Sequence, residues 1–400
     1  MTRKLFREEP TNFDFQAEVL ELGTDNGKSF IVLDKSAFYP TGGGQPSDNG
    51  YVEGVQILEV IIDDDGTIRH FFEGDSVLVP GSKVRCRVNE VRRRDHTQQH
   101  SGQHILSQSF FQLFGAETNG FRIGEKSSEI DLKFDRELSS VDAAICEAVE
   151  LANSIVFENR IVKSLLVTNE ESARLPLRKE STVTEDLRII EIENFDYSPC
   201  GGTHVQQTGE VGIILVKNWT RAKQMLRLEF VCGVRAIREY REVNTITASI
   251  CKNLSIGREG VVVTVSTLVE SCRAYDKKIK LLTAQLIDSE VEELIRANSL
   301  VILKIFDDRS FEELRFLASK LISQAPIIAL LATVNGGKCQ LAFAAAPVSN
   351  INAAELMKEI CEKFGGNGGG TPSMAQGGVN KTEELENYLQ DLSTRLEFKI

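Results

Sequence analysis

The stretch that decides the fold is Asp95–Leu106, which reads DHTQQHSGQHIL. Three of the five histidines of the chain lie in it at a spacing of four residues, as His96, His100 and His104. Side chains four residues apart lie one above the other on the same face of a helix. The spacing therefore predicts a helix that begins with this stretch and brings two imidazoles close enough to share one metal ion.

Helical geometry decides which two histidines form the pair. A helix turns by about 100° per residue, so each step of four residues drifts by about 40° and the three rings spread over about 80°. Only two neighbouring rings can then bind one ion comfortably. Because His104 lies deeper in the predicted helix, next to Ile105 and Leu106, we expect His100 and His104 to be the pair. His96 would be a residue of the first turn that either supports the ligands or faces RNA.

A second stretch, Pro199–His204 (PCGGTH), repeats the spacing of four with Cys200 and His204. Gly201 and Gly202 disfavour a helix here and predict a tight turn that folds both side chains toward one point. A thiolate together with imidazoles selects zinc among the common metals. We therefore expect this pair and the helical pair to hold one zinc ion. Four protein ligands suit a structural zinc, whereas a catalytic zinc keeps a position for water or substrate, so the sequence leaves both roles open.

Composition places the chain among globular proteins. Its length of 400 residues predicts two or three domains. Its fractions of hydrophobic (42%) and charged (26%) residues are typical of globular proteins. No apolar run is long enough to cross a bilayer, and the N-terminus becomes charged before the apolar core of a signal peptide could form. We expect a cytoplasmic protein with no membrane partner. The eight cysteines are scattered without a CxxC pair, so apart from Cys200 we expect small buried residues in a reducing compartment.

The distribution of charge indicates a polyanionic substrate. The net charge of −12 argues against a protein that coats nucleic acid without specificity. Two basic stretches, Lys83–Arg94 and Lys217–Arg241, nevertheless flank the two histidine motifs along the chain. Taken alone, either basic stretch could equally be a solvent-exposed face of a helix or strand. Beside a metal site, they favour a substrate that carries phosphates.

The pattern of apolar residues predicts an α+β fold in four parts. Residues 1–90 alternate with a period of two in short strands, which predicts a small β-barrel. Residues 91–235 should form an α+β zinc-binding domain with an antiparallel sheet, in which Gly115 ends the histidine helix. Residues 236–299 read as a helical linker. Its 259–297 segment carries an apolar stripe that suits either a homodimer seam or a core helix. Residues 300–400 read as an α/β domain.

Two glycine-rich segments predict close approach of the backbone to a ligand. Phe38–Pro46, FYPTGGGQP, joins two strands of the predicted barrel. Its three consecutive glycines permit positive φ angles and leave the backbone accessible. Gly365–Gly378 is a flexible linker by composition. Its position between predicted elements favours a backbone cradle for a nucleotide or for RNA.

These motifs resemble the editing part of alanyl-tRNA synthetases and the AlaX editing proteins. The resemblance rests on 38–45 (FYPTGGGQ), 100–106 (HSGQHIL) and 200–204 (CGGTH), which occur in the order found in the family. The glycine-rich segment that contains MAQGG at 374–378 is similar to the C-terminal domain of the longer AlaX forms, which is shared with DHH-associated domains. The resemblance therefore covers most of the chain.

The resemblance implies zinc-dependent hydrolysis of tRNA(Ala) mischarged with serine or glycine. Zinc would be bound by His100, His104, Cys200 and His204, and His100, His104 and Gln45 would act at the ester. Thr41 would recognise the serine hydroxyl, with Gly43, Gly44 and Arg94 as further substrate contacts. Because the resemblance begins at the editing barrel, we expect no counterpart of the ATP-dependent charging domain.

Two other classes of function remain open. One is a non-catalytic RNA-binding protein stabilised by zinc, in which all four ligands are saturated. The other is a zinc hydrolase of small esters or amides, which would need neither the basic stretches nor the C-terminal part.

Overall fold

The computed structural model describes residues 2–74, 76–134, 138–178, 187–222, 225–297, 299–335, 338–380 and 383–398. Residues 223–224 of the second basic stretch lie outside the described residues. Contacts divide the chain into two compact units, Met1–Leu254 and Ser255–Ile400. The boundary falls inside the predicted linker, and the finer division into four parts stays a prediction. None of the helices in the described ranges is both long and apolar enough to cross a membrane.

The first unit begins with a closed six-stranded barrel, as the alternating pattern predicts. In chain order the elements are β1 (Arg3–Lys4), α1 (Leu5–Glu8), β2 (Asp14–Asp25), β3 (Lys28–Leu33), β4 (Lys35–Ser36), β5 (Gly50–Val52), β6 (Val55–Ile62), β7 (Ile68–Phe72) and β8 (Lys83–Val88). The barrel order is β2-β3-β7-β6-β5-β8, with antiparallel neighbours throughout. Phe15, Ala17 and Val19 of β2 are buried while the residues between them are exposed, as the period of two requires.

The histidine helix, α2 (Glu90–Phe114), starts earlier than the sequence suggests. Asn89 caps it, since its side chain accepts a hydrogen bond from the Arg92 amide at 3.2 Å. The expectation that the helix begins with the histidine stretch is therefore wrong, and His96 lies in the second turn. Glu90–Arg94 was interpreted as part of a basic stretch, but glutamate and arginine are also good helix formers. Gly115 ends the helix with a φ of 67°, as predicted.

In the described residues, the rest of the first unit contains two antiparallel sheets and three helices. The elements are β9 (Glu117–Ile123), β10 (Ser128–Lys133), α3 (Val141–Phe157), β11 (Val162–Val167), α4 (Asn169–Ser172), β12 (Leu187–Ile192), β13 (Asp196–Pro199), β14 (Ile214–Ala222), β15 (Met225–Cys232) and α5 (Gly233–Leu254). The sheet orders are β14-β15-β10-β9 and β11-β12-β13. Ser140 caps α3, since its side chain accepts a hydrogen bond from the Ala143 amide at 3.3 Å. Ile105, Leu106 and Phe110 of α2 are fully buried in the core that the larger sheet and α3 share.

A buried ion pair fixes α2 against the barrel. Arg93, whose side chain is 2% exposed, donates from Nε to Oδ2 of Asp48 at 2.9 Å and from Nη2 to the same carboxylate. Its Nη2 also donates to the Ala37 carbonyl at 2.6 Å. The same Asp48 oxygen accepts from the Tyr39 amide at 2.7 Å. The pair therefore holds the glycine-rich barrel turn next to the helix that carries the histidines.

The described residues of the second unit form a long helix and a mixed five-stranded sheet with three further helices. The elements are α6 (Val261–Arg296), β16 (Val301–Phe306), α7 (Phe311–Gln324), β17 (Ile328–Asn335), β18 (Lys338–Ala345), α8 (Ala353–Phe364), β19 (Asn367–Thr371), β20 (Met374–Asn380) and α9 (Glu383–Glu397). The sheet order is β16-β17-β18-β20-β19, in which only β16 and β17 are parallel.

The glycine-rich segment forms a hairpin instead of the flexible linker that its composition alone indicates. Strand β19 pairs with β20, which in turn pairs with β18. A side-chain carbon on Gly377 would lie 2.5 Å from Sδ of Met357 and 3.1 Å from Sγ of Cys361 on α8. The segment is therefore poor in side chains because α8 packs closely against it. A role as a backbone cradle stays a prediction.

The buried ion pair predicts an asymmetric response to mutation. Arg93→Met leaves the Asp48 carboxylate buried without its guanidinium, and we expect a loss of about 3–5 kcal/mol in the free energy of unfolding. The double variant Arg93→Met/Asp48→Asn should recover part of this loss, because the charge is gone and an amide oxygen can still accept from Tyr39. Trp219, the single tryptophan, lies on β14 and reports urea unfolding of the first unit.

The matched control is Arg94→Met on the same helix. Arg94 is 60% exposed and forms an ion pair with Glu90 across one helical turn, so its removal should cost less than about 1 kcal/mol. If Arg93→Met and Arg94→Met lowered the free energy of unfolding equally, the proposed contribution of the buried pair to stability would be contradicted.

Candidate metal centre

Four side chains from two segments converge in the first unit. His100 and His104 lie on α2, while Cys200 and His204 lie on the loop that follows β13. One ligand atom from each lies within 4.8 Å of the others, and the three histidines are buried. Nε2 of His100 and Nε2 of His204 each lie 3.2 Å from Sγ of Cys200. The structure thus brings together the four residues that the spacing singles out.

The donor set fits a tetrahedral ion. Ligand bonds of about 2.0–2.1 Å for nitrogen and about 2.3 Å for sulfur place neighbouring donor atoms roughly 3.3–3.6 Å apart in a tetrahedral site. The two nitrogen–sulfur distances of 3.2 Å are close to this range. One thiolate and three imidazoles also match the ligand chemistry of zinc.

Each imidazole is oriented through its second nitrogen. The Nδ1 contacts are His100 to Oε1 of Gln45 at 2.8 Å, His104 to Oδ2 of Asp196 at 3.2 Å and His204 to Oγ of Ser101 at 3.2 Å. Such bonds fix the tautomer and the ring plane of a metal-binding histidine. They leave Nε2 of each ring for the centre of the cluster.

Asp196 is an important residue that the sequence did not reveal. Its carboxylate is buried, lies 3.2 Å from Nε of Arg178 and accepts from Oγ of Ser198 at 2.9 Å as well as facing His104. Burial raises the pKa of this carboxyl, but the charge of Arg178 and the hydrogen bond to His104 outweigh burial and lower it. A stable carboxylate is therefore kept behind His104.

The protonation equilibria of the cluster are strongly coupled. Burial raises the pKa of the Cys200 thiol, but the charges of His100 and His204 and the hydrogen bonds to His100 and His104 bring it well below the ordinary value. Burial lowers the pKa of His204 to about 3. Burial also opposes a charge on His104, but hydrogen bonds to Asp196 and Cys200 raise its pKa to about 9. Thiolate and neutral imidazole are the forms that bind a metal.

Gln45 connects the barrel to both halves of the cluster. Its side chain is buried, and Oε1 accepts from the Thr203 amide at 3.1 Å while contacting Nδ1 of His100. Its Nε2 donates to Oγ1 of Thr203 at 2.9 Å, and that hydroxyl lies 2.8 Å from Oγ1 of Thr97. Gln45 is therefore placed to orient His100. Thr97 and Thr203 are site residues to which the sequence assigned no role, although Thr203 lies within the CGGTH motif.

Gly202 allows the loop to approach the helix. A side-chain carbon at this position would lie 2.1 Å from Cε1 of His100. Any larger residue would push the loop away from α2 and separate Cys200 from the helical pair. The sequence predicted a glycine turn here; the close contact with His100 is visible only in the structure.

The predicted substrate contacts Thr41, Gly43 and Gly44 lie on the barrel turn that also carries Gln45. Thr41 is exposed on the barrel turn, where its Oγ1 accepts from the Ser47 amide at 3.1 Å. It lines a cavity of about 580 Å³ together with Gly44 and Gln45. Gly43 and Gly44 have positive φ angles of 56° and 78°.

Arg94 and His96 both lie outside the four-residue cluster. Nε of Arg94 donates to Oε1 of Glu90 at 2.7 Å, and the guanidinium lies over the ring of Phe13. Its part in substrate binding stays a prediction. His96 is 3% exposed and lies outside the four-residue cluster, so it does not face solvent. Burial lowers the pKa of His96 to about 4.

Comparison with known proteins identifies two domains. Residues 187–229 match the family described as threonyl and alanyl tRNA synthetase second additional domain. Residues 297–397 match the DHHA1 domain. The first match contains Cys200, His204 and β12–β14.

Full-length relatives align over almost the whole chain. The alanyl-tRNA editing protein AlaX-L of Pyrococcus horikoshii is 27% identical over 96% of this chain and 96% of its own length. The alanine–tRNA ligase of Korarchaeum cryptofilum is 30% identical over 99% of this chain, which spans 45% of that protein. The C-Ala domain of Aquifex aeolicus alanyl-tRNA synthetase aligns at 26% identity over 24% of this chain and 90% of that domain, with a TM-score of 0.23 that supports no argument about fold.

The two domain matches and the alignment along the full length of AlaX-L agree with the order of the sequence motifs. Along almost its whole length the chain is similar to the alanyl-tRNA editing protein AlaX-L and to the corresponding regions of alanine–tRNA ligases.

Proposed function

We propose that the first unit hydrolyses the aminoacyl ester of mischarged tRNA(Ala) in trans in the cytoplasm. Seryl-tRNA(Ala) would be the chief substrate and glycyl-tRNA(Ala) a second one. A zinc ion would be held by His100, His104, Cys200 and His204. The observation that carries the proposal is the convergence of these four side chains beside a barrel turn that bears Thr41 and Gln45. The similarity to an alanyl-tRNA editing protein along its full length supports it.

The chemistry required is modest, because an aminoacyl ester needs only an oriented water and a stabilised oxyanion. A bound zinc ion supplies Lewis acidity toward the ester carbonyl. The hydroxyls of Thr97 and Thr203, which lie 2.8 Å apart, can orient a water by one donated and one accepted hydrogen bond. Gln45 holds the His100 ring in place through Nδ1. Asp196 does the same for His104, and neither is needed as a proton acceptor from the substrate.

The competing functions lead to different results with the same protein. In a zinc-stabilised RNA-binding protein, loss of a ligand would unfold the first unit and no ester would be cleaved. A hydrolase of small esters would act on serine esters without tRNA. The cavity beside Thr41 and the similarity to AlaX-L favour a charged tRNA over both.

Release of serine tests the proposal. The full chain loaded with zinc should free serine from labelled seryl-tRNA(Ala) much faster than spontaneous hydrolysis. A chelator should abolish release and added zinc should restore it. Cys200→Ala should lose both release and metal content while Trp219 fluorescence still reports a folded first unit. Cys146→Ala, an exposed cysteine on α3, is the matched control and should behave as the wild type.

Two results would count against the proposal. Serine release at the spontaneous rate would remove the esterase function. Unfolding of the first unit by Cys200→Ala, without release by the wild type, would favour the structural role of zinc.

If the Thr41 hydroxyl contacts the aminoacyl side chain, hydrolysis should be selective for serine over alanine. A hydroxyl partner for the serine side chain is left unpaired when alanine binds, which favours serine. Thr41→Val keeps the shape of the side chain but removes the hydroxyl. We expect serine release to slow roughly tenfold, since a lost hydrogen bond of about 1.4 kcal/mol corresponds to that factor. Thr24→Val, at an exposed position of β2, is the control. Unchanged discrimination between seryl-tRNA(Ala) and alanyl-tRNA(Ala) would exclude Thr41 as the selective contact.

We also propose that α6 pairs with a second copy of the chain. The apolar residues Leu268, Tyr275, Ile279, Leu282 and Leu286 are 46–72% exposed and recur at steps of three, four or seven residues, as in a helix seam. Only Ile287 and Val291 of this helix are buried within the chain. Ile279→Glu/Leu282→Glu should shift the molar mass measured by light scattering from dimer to monomer. A monomeric wild type would contradict the pairing.

A further inference from the structure

A cleft opens next to the metal centre on the side of His204. Its cavity volume is about 510 Å³, which lies within the range of about 300–1,000 Å³ for ligand pockets. One wall is the N-terminal segment with Lys4 and Arg7. The other wall is formed by β11 and β12, which contribute Lys163 and Arg188. These four cations come from neither of the two basic stretches that the sequence made conspicuous.

The cleft is positively charged although the protein is acidic. Its lining contains four cations and one carboxylate, Glu8. That carboxylate is already paired with Nη2 of Arg3 at 2.6 Å, and Arg3 is not part of the lining. Positive charge gathered in a concave site attracts polyanions more strongly than the same charge spread over a surface. The net charge of −12 makes such a concentration unexpected from composition.

One of the cations is hydrogen-bonded to the metal loop, and a second lies close to it. Nη1 of Arg188 donates to the carbonyls of Cys200 and Gly202, at 2.8 Å in each case, so this guanidinium is a fixed part of the wall. A side-chain carbon built on Gly201 would lie 3.9 Å from Nη2 of Arg7. Arg7 is exposed and therefore stands at the mouth of the cleft, within reach of a ligand that enters toward Cys200.

We propose that this cleft binds the single-stranded 3′ end of the tRNA, with Arg7 and Lys163 contacting backbone phosphates. The proposal rests on the proposed function, because the ester of a charged tRNA lies at this end of the molecule. Arginine and lysine side chains bind phosphate oxygens through charge-assisted hydrogen bonds. Val162, Leu166 and Ile190 supply apolar wall area, against which the faces of unstacked bases can lie.

Binding of a short RNA tests the cleft without relying on hydrolysis. The probe is a labelled single-stranded oligonucleotide that ends in ACCA-3′, titrated into the full zinc-loaded chain at several salt concentrations. Arg7→Gln/Lys163→Gln removes two exposed cations. Each phosphate contact on a single strand contributes about 0.7 to the slope of log K against log salt, so this variant should lose about 1.4 from the slope.

The matched control is Lys28→Gln/Lys133→Gln. These two lysines lie on β3 and β10, are exposed, and belong neither to the cleft lining nor to the two basic stretches. The control removes the same charge away from the cleft and should leave the slope unchanged. An unchanged slope in the cleft variant, or an equal loss in both variants, would overturn the proposal. Trp219 fluorescence verifies that both variants are folded.

Deacylation separates this proposal from the proposed function. With seryl-tRNA(Ala), the cleft variant should lower kcat/KM on the order of tenfold, and the control should lower it far less. If the cleft variant binds the oligonucleotide weakly but deacylates tRNA normally, the cleft is not on the path of the substrate and the proposal fails. If the wild type binds the oligonucleotide through the cleft but releases no serine, the esterase function fails and the RNA site stands.

Discussion

The site depends on one buried amide. Oε1 of Gln45 faces both Nδ1 of His100 and the amide of Thr203, at 2.8 and 3.1 Å. One oxygen atom therefore connects the barrel turn, the histidine helix and the Cys200 loop. Ser101 also joins the helix to the loop through His204, whereas Gln45 ties both of them to the barrel turn. A metal site made from two distant segments needs such a link, because donor atoms must converge to within a few tenths of an ångström.

Other buried polar contacts extend this arrangement. Arg93 and Asp48 fix the start of α2 on the barrel, and Asp196 holds His104 from the opposite side. Each group is polar and buried, and each has a partner that offsets the cost of removing it from water. The first unit thus places polar groups in its interior where they orient ligands, while Ile105, Leu106 and Phe110 on the same helix supply the apolar core. One helix serves both purposes along its length.

Local patterns in the sequence predicted the parts of the structure that depend on local geometry. The spacing of His100 and His104, the glycine turn between Cys200 and His204 and the alternation in the barrel strands all follow from backbone periodicity. Contacts between distant segments have no such signal. Gln45 and Asp196 could not be assigned to His100 and His104 before the barrel and β13 were placed around α2. The start of α2 was misplaced because Glu90–Arg94 reads as charge, and the hairpin at 367–380 was misread because composition does not reveal the packing of α8.

The central claim is that one thiolate and three imidazoles hold a single zinc ion between α2 and the Cys200 loop. X-ray absorption at the zinc edge of the purified full chain tests it most directly. The account predicts one sulfur at about 2.3 Å and three nitrogens at about 2.0–2.1 Å, and loss of the sulfur in Cys200→Ala. A shell without sulfur in the wild-type protein would contradict it, as would a spectrum that Cys200→Ala leaves unchanged.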